Sequence, residues 1–211
     1  MKISGTYTVA APRQQVWDAL QDPAVLARTI PGCEALEVTG DDTYAATVTA
    51  GVASVKGTYQ GRVQLSDRQE PSNYRLRAEG AGAPGTIRAD AVIDLAEQGD
   101  GTTAVTFDAD AVIGGMIGGV GQRMLAGVAK KTAGEFFAAV ERELLHGPAA
   151  AAAPAVGGDA RAATTAEVGQ VFAGRAAAGG SGSRLPELLA AFGLGALVAL
   201  AGVLVGRRLR P

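Results

Sequence analysis

Val55-Lys56-Gly57-Thr58-Tyr59-Gln60-Gly61-Arg62-Val63-Gln64-Leu65 alternates without a slip. Val55, Gly57, Tyr59, Gly61, Val63 and Leu65 fall on one parity, and Lys56, Thr58, Gln60, Arg62 and Gln64 on the other. Successive side chains of a strand point to opposite faces, so this segment is a strand with one apolar and one wet side. The same pattern continues outward. Beyond the turn Glu70-Pro71-Ser72-Asn73, Tyr74, Leu76 and Ala78 oppose Arg75, Arg77 and Glu79. Ile87, Ala89, Ala91, Ile93 and Leu95 then oppose Arg88, Asp90 and Asp94, and after Gly99-Asp100-Gly101 come Val105, Phe107, Ala109, Ala111 and Ile113. Toward the N-terminus, Ala35–Thr39 and Thr43–Gly51 flank the hairpin turn Gly40-Asp41-Asp42. The chain opens with Ile3, Gly5, Tyr7 and Val9 in alternation. About seven strands that share one parity rule predict an antiparallel sheet with a single apolar face.

Such a face needs a cover. Pro12 suits the first position of a short helix over Pro12–Gln21, with Val16, Trp17 and Leu20 as its apolar stripe. Asp22-Pro23 opens a second, carrying Val25, Leu26 and Ile30 and closed by Pro31-Gly32. Only one later segment is long enough to cover the sheet. Over Ile117–His146, Ile117, Val120, Met124, Val128, Thr132, Phe136, Val140 and Leu144 lie along one helical face. The expected order is strand, two short helices, six strands and a long helix, an α+β domain over residues 1–146.

This order resembles that of the START-like helix-grip fold of the SRPBCC superfamily, which implies a curved sheet wrapped around the long C-terminal helix. Within it, Asp22-Pro23 with Leu26 and Ile30-Pro31-Gly32-Cys33-Glu34 resembles the CoxG family of carbon monoxide dehydrogenase subunits. Gly57-Thr58-Tyr59-Gln60-Gly61, Gly80–Gly85 and the glycines at 114, 115, 118, 119 and 121 are similar to that family's glycine pattern. The resemblance covers about residues 1–146 and is most specific in the Ile-Pro-Gly-Cys segment. It implies an accessory role to a molybdenum hydroxylase of the CO dehydrogenase type, recruiting that enzyme to the inner membrane. Many members also carry a low-complexity tail and an apolar C-terminal segment.

Residues 147–184 change character: 14 of these 38 are Ala, and Gly, Ser, Thr and Pro make up most of the rest. They read as a disordered tether with a root-mean-square reach of roughly 30–37 Å. Val168, Val171 and Phe172 interrupt it, either as a chance apolar cluster or as a short docking helix. Residues 185–211 read as a membrane anchor. Leu188 to Gly206 is 19 residues without a charge. As a helix it measures roughly 28 Å, against about 30 Å for a bilayer core. Its bulky residues are Leu188, Leu189, Phe192, Leu194, Leu197, Val198, Leu200, Val203, Leu204 and Val205, and Arg207, Arg208 and Arg210 follow. A spanning tail anchor, a segment dipping into one leaflet and a soluble oligomerisation helix are the alternatives. Met1 leads directly into a strand pattern with no signal peptide, which places the domain on the cytoplasmic face of the inner membrane. Positive-inside bias would put the arginines on that same side, so spanning and re-entrant arrangements both stay open.

The residues offer little reaction chemistry. A net charge of −2 excludes a strongly basic nucleic-acid binder, and one Cys with one His gives neither a disulfide nor a thiolate- or His-rich zinc site. Cys33 has no activating partner nearby in sequence, His146 sits at a helix end, and Arg75, Arg77, Asp90 and Asp94 fall on the wet parity. What remains is an apolar interior. Its expected lining is Tyr7, Trp17, Leu26, Ile30, Val48, Tyr59, Val63, Leu76, Ile93, Phe107, Ile113, Ile117, Val120 and Met124. Several inward positions are small, namely Gly57, Gly61, Ala78, Ala89, Ala91, Ala109 and Ala111, which leaves volume for an apolar ligand. Together with the anchor and the resemblance, this gives the expectation of a membrane-tethered, non-enzymatic carrier. It would bind lipid or an isoprenoid quinone such as menaquinone, without a covalent cofactor, and present the quinone to the hydroxylase as electron acceptor. A ligand-free membrane adaptor is the alternative. A helix-grip cyclase or hydrolase would need inward polar groups, for which Tyr7, Tyr59 and Tyr74 are the candidates.

Overall fold

The computed structural model describes residues 1–147 and 167–174. The chain runs β1 (Lys2–Val9), α1 (Arg13–Gln21), α2 (Pro23–Thr29), β2 (Cys33–Gly40), β3 (Thr43–Val52), β4 (Val55–Gln69), β5 (Asn73–Gly82), β6 (Gly85–Glu97) and β7 (Thr103–Gly115). A short 3₁₀ turn (Met116–Val120), α3 (Gln122–His146) and β8 (Val171–Ala173) follow. All strands join one antiparallel sheet in the order β1-β7-β6-β5-β4-β3-β2-β8. The alternation read in the sequence is the burial pattern observed: Tyr59, Val63, Leu65, Tyr74, Leu76, Ile87, Ile93, Val105 and Phe107 are all buried. On the outer face Arg75 and Arg77 pair with Asp90, and Arg88 with Glu79. These half-exposed ion pairs contribute little to stability.

The helices close the inner face and are pinned to the strands at long sequence separation. Asp22 caps α2 by accepting from the Ala24 amide at 2.8 Å, with Pro23 in the first turn. The Arg28 guanidinium on α2 meets Glu143 on α3 at 2.6 and 2.7 Å, and Glu143 is nearly buried. The Tyr7 hydroxyl of β1 donates to the Lys130 carbonyl of α3 at 2.7 Å, while Glu141 accepts from the Ala10 amide at 2.8 Å. Trp17 of α1 lies edge-on to Tyr74 of β5, with ring centroids 5.5 Å apart.

Two sequence expectations are corrected. The closing helix does not begin at Ile117. Gly115 and Gly121 adopt positive φ angles of 79° and 100°, and the segment between them is the 3₁₀ turn. The buried residues of α3 are Leu125, Ala129, Thr132, Ala133, Phe136, Phe137 and Val140, so the expected stripe holds at Thr132, Phe136 and Val140 and drifts off the core at Met124 and Val128, because a strict four-residue spacing outruns a 3.6-residue turn. Met124 is 50% exposed and Val128 only partly buried.

The sheet has eight strands rather than about seven, because the apolar cluster at Val168–Phe172 forms neither a helix nor a chance patch. It supplies β8, which lies antiparallel to β2 with Leu36 opposite Phe172. The Val38 amide donates to Gln170 at 3.0 Å, and the Gly169 and Gly174 amides donate to Val38 and Glu34. Part of the expected tether thus covers an otherwise open sheet edge. A Cβ at Gly174 would run into the Cys33 carbonyl, so only glycine allows this approach. Gly174→Val should unseat β8. Hydrogen exchange at the Val38 amide should then accelerate while β4–β7 amides keep their protection, and unchanged exchange at Val38 would refute this account of the edge.

Candidate functional site

A partly open apolar cavity of about 60 Å³ lies between the sheet and the three helices. Its sheet wall is Leu36 (β2), Tyr44 (β3), Val63 and Leu65 (β4), Tyr74 and Leu76 (β5), Ala91 and Ile93 (β6) and Phe107 (β7). Leu20 of α1, Leu26 and Ile30 of α2, and Ala133, Phe136 and Phe137 of α3 complete it. Six of the fourteen residues expected from sequence line this cavity: Leu26, Ile30, Val63, Leu76, Ile93 and Phe107. Tyr7, Trp17, Val48, Tyr59, Ile113, Ile117 and Val120 are buried or partly buried core residues that do not line it. Met124 faces outward, for the reason of helix phase given above. The other nine lining residues, Leu20, Leu36, Tyr44, Leu65, Tyr74, Ala91, Ala133, Phe136 and Phe137, were missing from the expected lining, although Leu20, Leu65, Tyr74, Ala91 and Phe136 carried the right parity or stripe position. The anchor residues from Leu188 to Arg208 lie outside the described residues. Among the described residues no helix is long and apolar enough to cross a membrane.

The cavity holds no ionised side chain, and its polar atoms are the hydroxyls of Tyr44 and Tyr74. Burial pushes both phenols above their ordinary pKa, so each is a neutral group at neutral pH. Tyr7 stacks between Phe107 and Phe137 with its hydroxyl committed to Lys130. Asp42, Arg68 and Asp22 act on Tyr44 and Arg68 on Tyr74, but burial outweighs these charges at both phenols. At about 60 Å³ the cavity admits a short apolar stretch. A drug-sized ligand fills roughly 300–1,000 Å³, so anything larger must push α1–α2 or α3 off the sheet.

Outside this cavity an open cleft of about 930 Å³ runs between α1–α2, the β2–β3 turn and β8. Trp17, Gln21, Asp22, Asp41, Arg68 and Phe172 are among its walls, and Arg68 is paired with Asp42. Tyr44 borders both spaces, so its ring partitions the open cleft from the apolar cavity. β8, read as linker in the sequence, is one wall of this cleft through Val168, Gln170 and Phe172.

Among the described residues no cluster of three His, Cys, Asp or Glu side chains is placed to hold a metal ion. Cys33 is 1% exposed at the start of β2. Burial, with the neighbouring Glu34 charge adding to it and the Ala35 amide opposing, pushes the thiol up to about 11. Its thiolate fraction is negligible at neutral pH, since a raised thiol pKa keeps the proton on. At pH 8 a disulfide reagent should label denatured protein readily and folded protein barely at all. Rapid labelling of the folded protein would show that the thiol is neither buried nor suppressed.

The sequence profile of the CoxG family, described as a carbon monoxide dehydrogenase subunit, matches residues 5–145. No curated protein matches. Among solved structures, a conserved protein from Geobacillus kaustophilus is 36% identical, with 69% of this chain and 96% of that one covered and a TM-score of 0.67. The Zhui aromatase/cyclase from Streptomyces sp. R1128 is 20% identical over 69% of this chain and 94% of its own, with a TM-score of 0.53. A START superfamily protein from Mycobacterium smegmatis is 15% identical over 69% and 97%, with a TM-score of 0.50. The last two likenesses speak for the fold alone. With the helix-grip architecture in place and the family profile spanning nearly all of the domain, the chain belongs to the CoxG family.

Proposed function

We propose that this protein is a non-catalytic carrier of an apolar ligand, an isoprenoid quinone or lipid, serving a CO dehydrogenase-type molybdenum hydroxylase at the cytoplasmic face of the membrane. The observation that carries the reading is the cavity: an interior space walled by aliphatic and aromatic side chains and two neutral phenols. Desolvation of an isoprenoid chain there offsets the cost of leaving the bilayer, at about 0.8 kcal/mol for each buried CH₂. Family membership supports the partner, since the family is described as a subunit of carbon monoxide dehydrogenase. The charge-free run Leu188–Gly206 supports the membrane. With β8 seated, only residues 175–187 separate the folded domain from that run. Thirteen residues reach at most roughly 45 Å when fully extended, which keeps the domain beside the bilayer from which it would load. Tyr44, shared by cleft and cavity, marks the route of entry that this reading favours.

The test is mass spectrometry of the organic extract from full-length protein purified from its native membranes. The wild type should carry a quinone or lipid in near-stoichiometric amount. Ala91→Leu, which fills the cavity from β6, should come out folded and empty. A folded wild type that yields no extractable lipid, yet still brings a hydroxylase to the membrane, would replace the carrier with a ligand-free adaptor.

A further inference from the structure

Tyr59 is 0% exposed, and no donor or acceptor among the described residues reaches its buried hydroxyl. Buried tyrosine hydroxyls almost always find a partner, because an unpaired one forfeits its hydration for nothing. The side chain belongs to the inner face: it shares parity with Val63, a wall of the apolar cavity, four residues along β4 and so roughly 13 Å away. The cross-strand row between them is Ala46, Gly61 and Gly80, closed by Ile87 of β6 and Ile113 of β7, with Ala78 and Ala89 continuing the small lining beside Val63. Gly82, Gly85 and Gly115 occupy the row of Tyr59 itself, and a Cβ at Gly82 would lie 3.1 Å from the tyrosine ring. A lane of minimal side chains on β4 and β5, bordered by Ile87 and Ile113, therefore lies on the inner face between the cavity wall at Val63 and Tyr59.

We propose that Tyr59 is the polar anchor of the ligand site, donating a hydrogen bond to a carbonyl oxygen at one end of an elongated apolar molecule whose hydrocarbon body lies toward Val63 and Phe107. The ligand class follows from the chemistry. The lane accepts only apolar bulk, and the hydroxyl at its end lacks an acceptor. Burial raises the pKa of Tyr59, so the hydroxyl keeps its proton and stays a donor. This inference rests on the carrier reading and adds to it a residue that distinguishes a ketone- or quinone-headed ligand from plain hydrocarbon.

Full-length wild type and Tyr59→Phe would be titrated with two probes, a geranyl-substituted naphthoquinone and the naphthalene of the same carbon skeleton, and melted without ligand. Tyr59→Phe should bind the quinone about tenfold more weakly and the naphthalene unchanged. Its ligand-free melting temperature should equal or exceed that of wild type, because the variant removes an unpaired buried group. Equal quinone binding by both proteins would overturn the anchor and leave the carrier reading intact. Equal weakening for both probes, or a lower melting temperature of the free variant, would overturn it by showing a packing role or a partner already present in the free protein. Binding of neither probe by wild type would overturn the carrier reading, and the anchor with it.

Discussion

A sheet with one apolar face cannot stand alone, and the architecture of this domain follows from how that face is closed. Seven long-range strands bend around a single helix, and one helix is too narrow to touch all of them. The gap is filled at one end by α1 and α2, which wedge Trp17, Leu20, Leu26 and Ile30 under the sheet. The closure holds because α3 is tied at several points: Arg28 to Glu143, Tyr7 to the Lys130 carbonyl, and Ala10 to Glu141. Glu143 is the most demanding of these. A nearly buried carboxylate is tolerable only with its guanidinium in place, so this pair fixes the register between α2 and α3 more than it adds net stability.

The same geometry explains why a cavity exists and why it is small. Along its inner face the sheet carries Ala78, Ala89, Ala91, Ala109 and Ala111, all buried, instead of large aliphatics, and Ala91 lines the cavity itself. Small residues there keep the core from filling solidly, while Phe107, Phe136 and Phe137 converge to leave about 60 Å³. An interior of this kind is poised rather than fully open. Extra volume has to come from movement of helices held to the sheet by a handful of pins, and Tyr44 stands where such movement would join the cavity to the outer cleft.

Strand existence, facing and turn positions were legible because each strand is longer than its turn and obeys a strict period of two. The small inward residues were legible for the same reason. The phase of α3 was legible only in part. Its C-terminal half held, with Thr132, Phe136 and Val140 buried, but stepping back by fours through Val128 to Met124 outran the 3.6-residue turn, and Leu125 and Ala129 face the core there instead. Ala133 and Phe137 were overlooked because the buried face is wider than the single row that was followed.

β8 marks the other limit. Three residues cannot display an alternation, and Val171-Phe172-Ala173 inside an Ala- and Gly-rich stretch has no local reason to be extended. It becomes a strand only because β2 presents free amides and carbonyls and because Gly174 lets the backbones meet. By itself, then, the sequence determined which residues face inward, how many long strands there are, and that the interior would be apolar and under-filled, since those properties follow from periods within a segment. Tertiary structure alone decided which inward residues enclose space, where the closing helix points its stripe, and which distant segment completes the sheet edge. Those outcomes depend on distances between segments that no local period encodes.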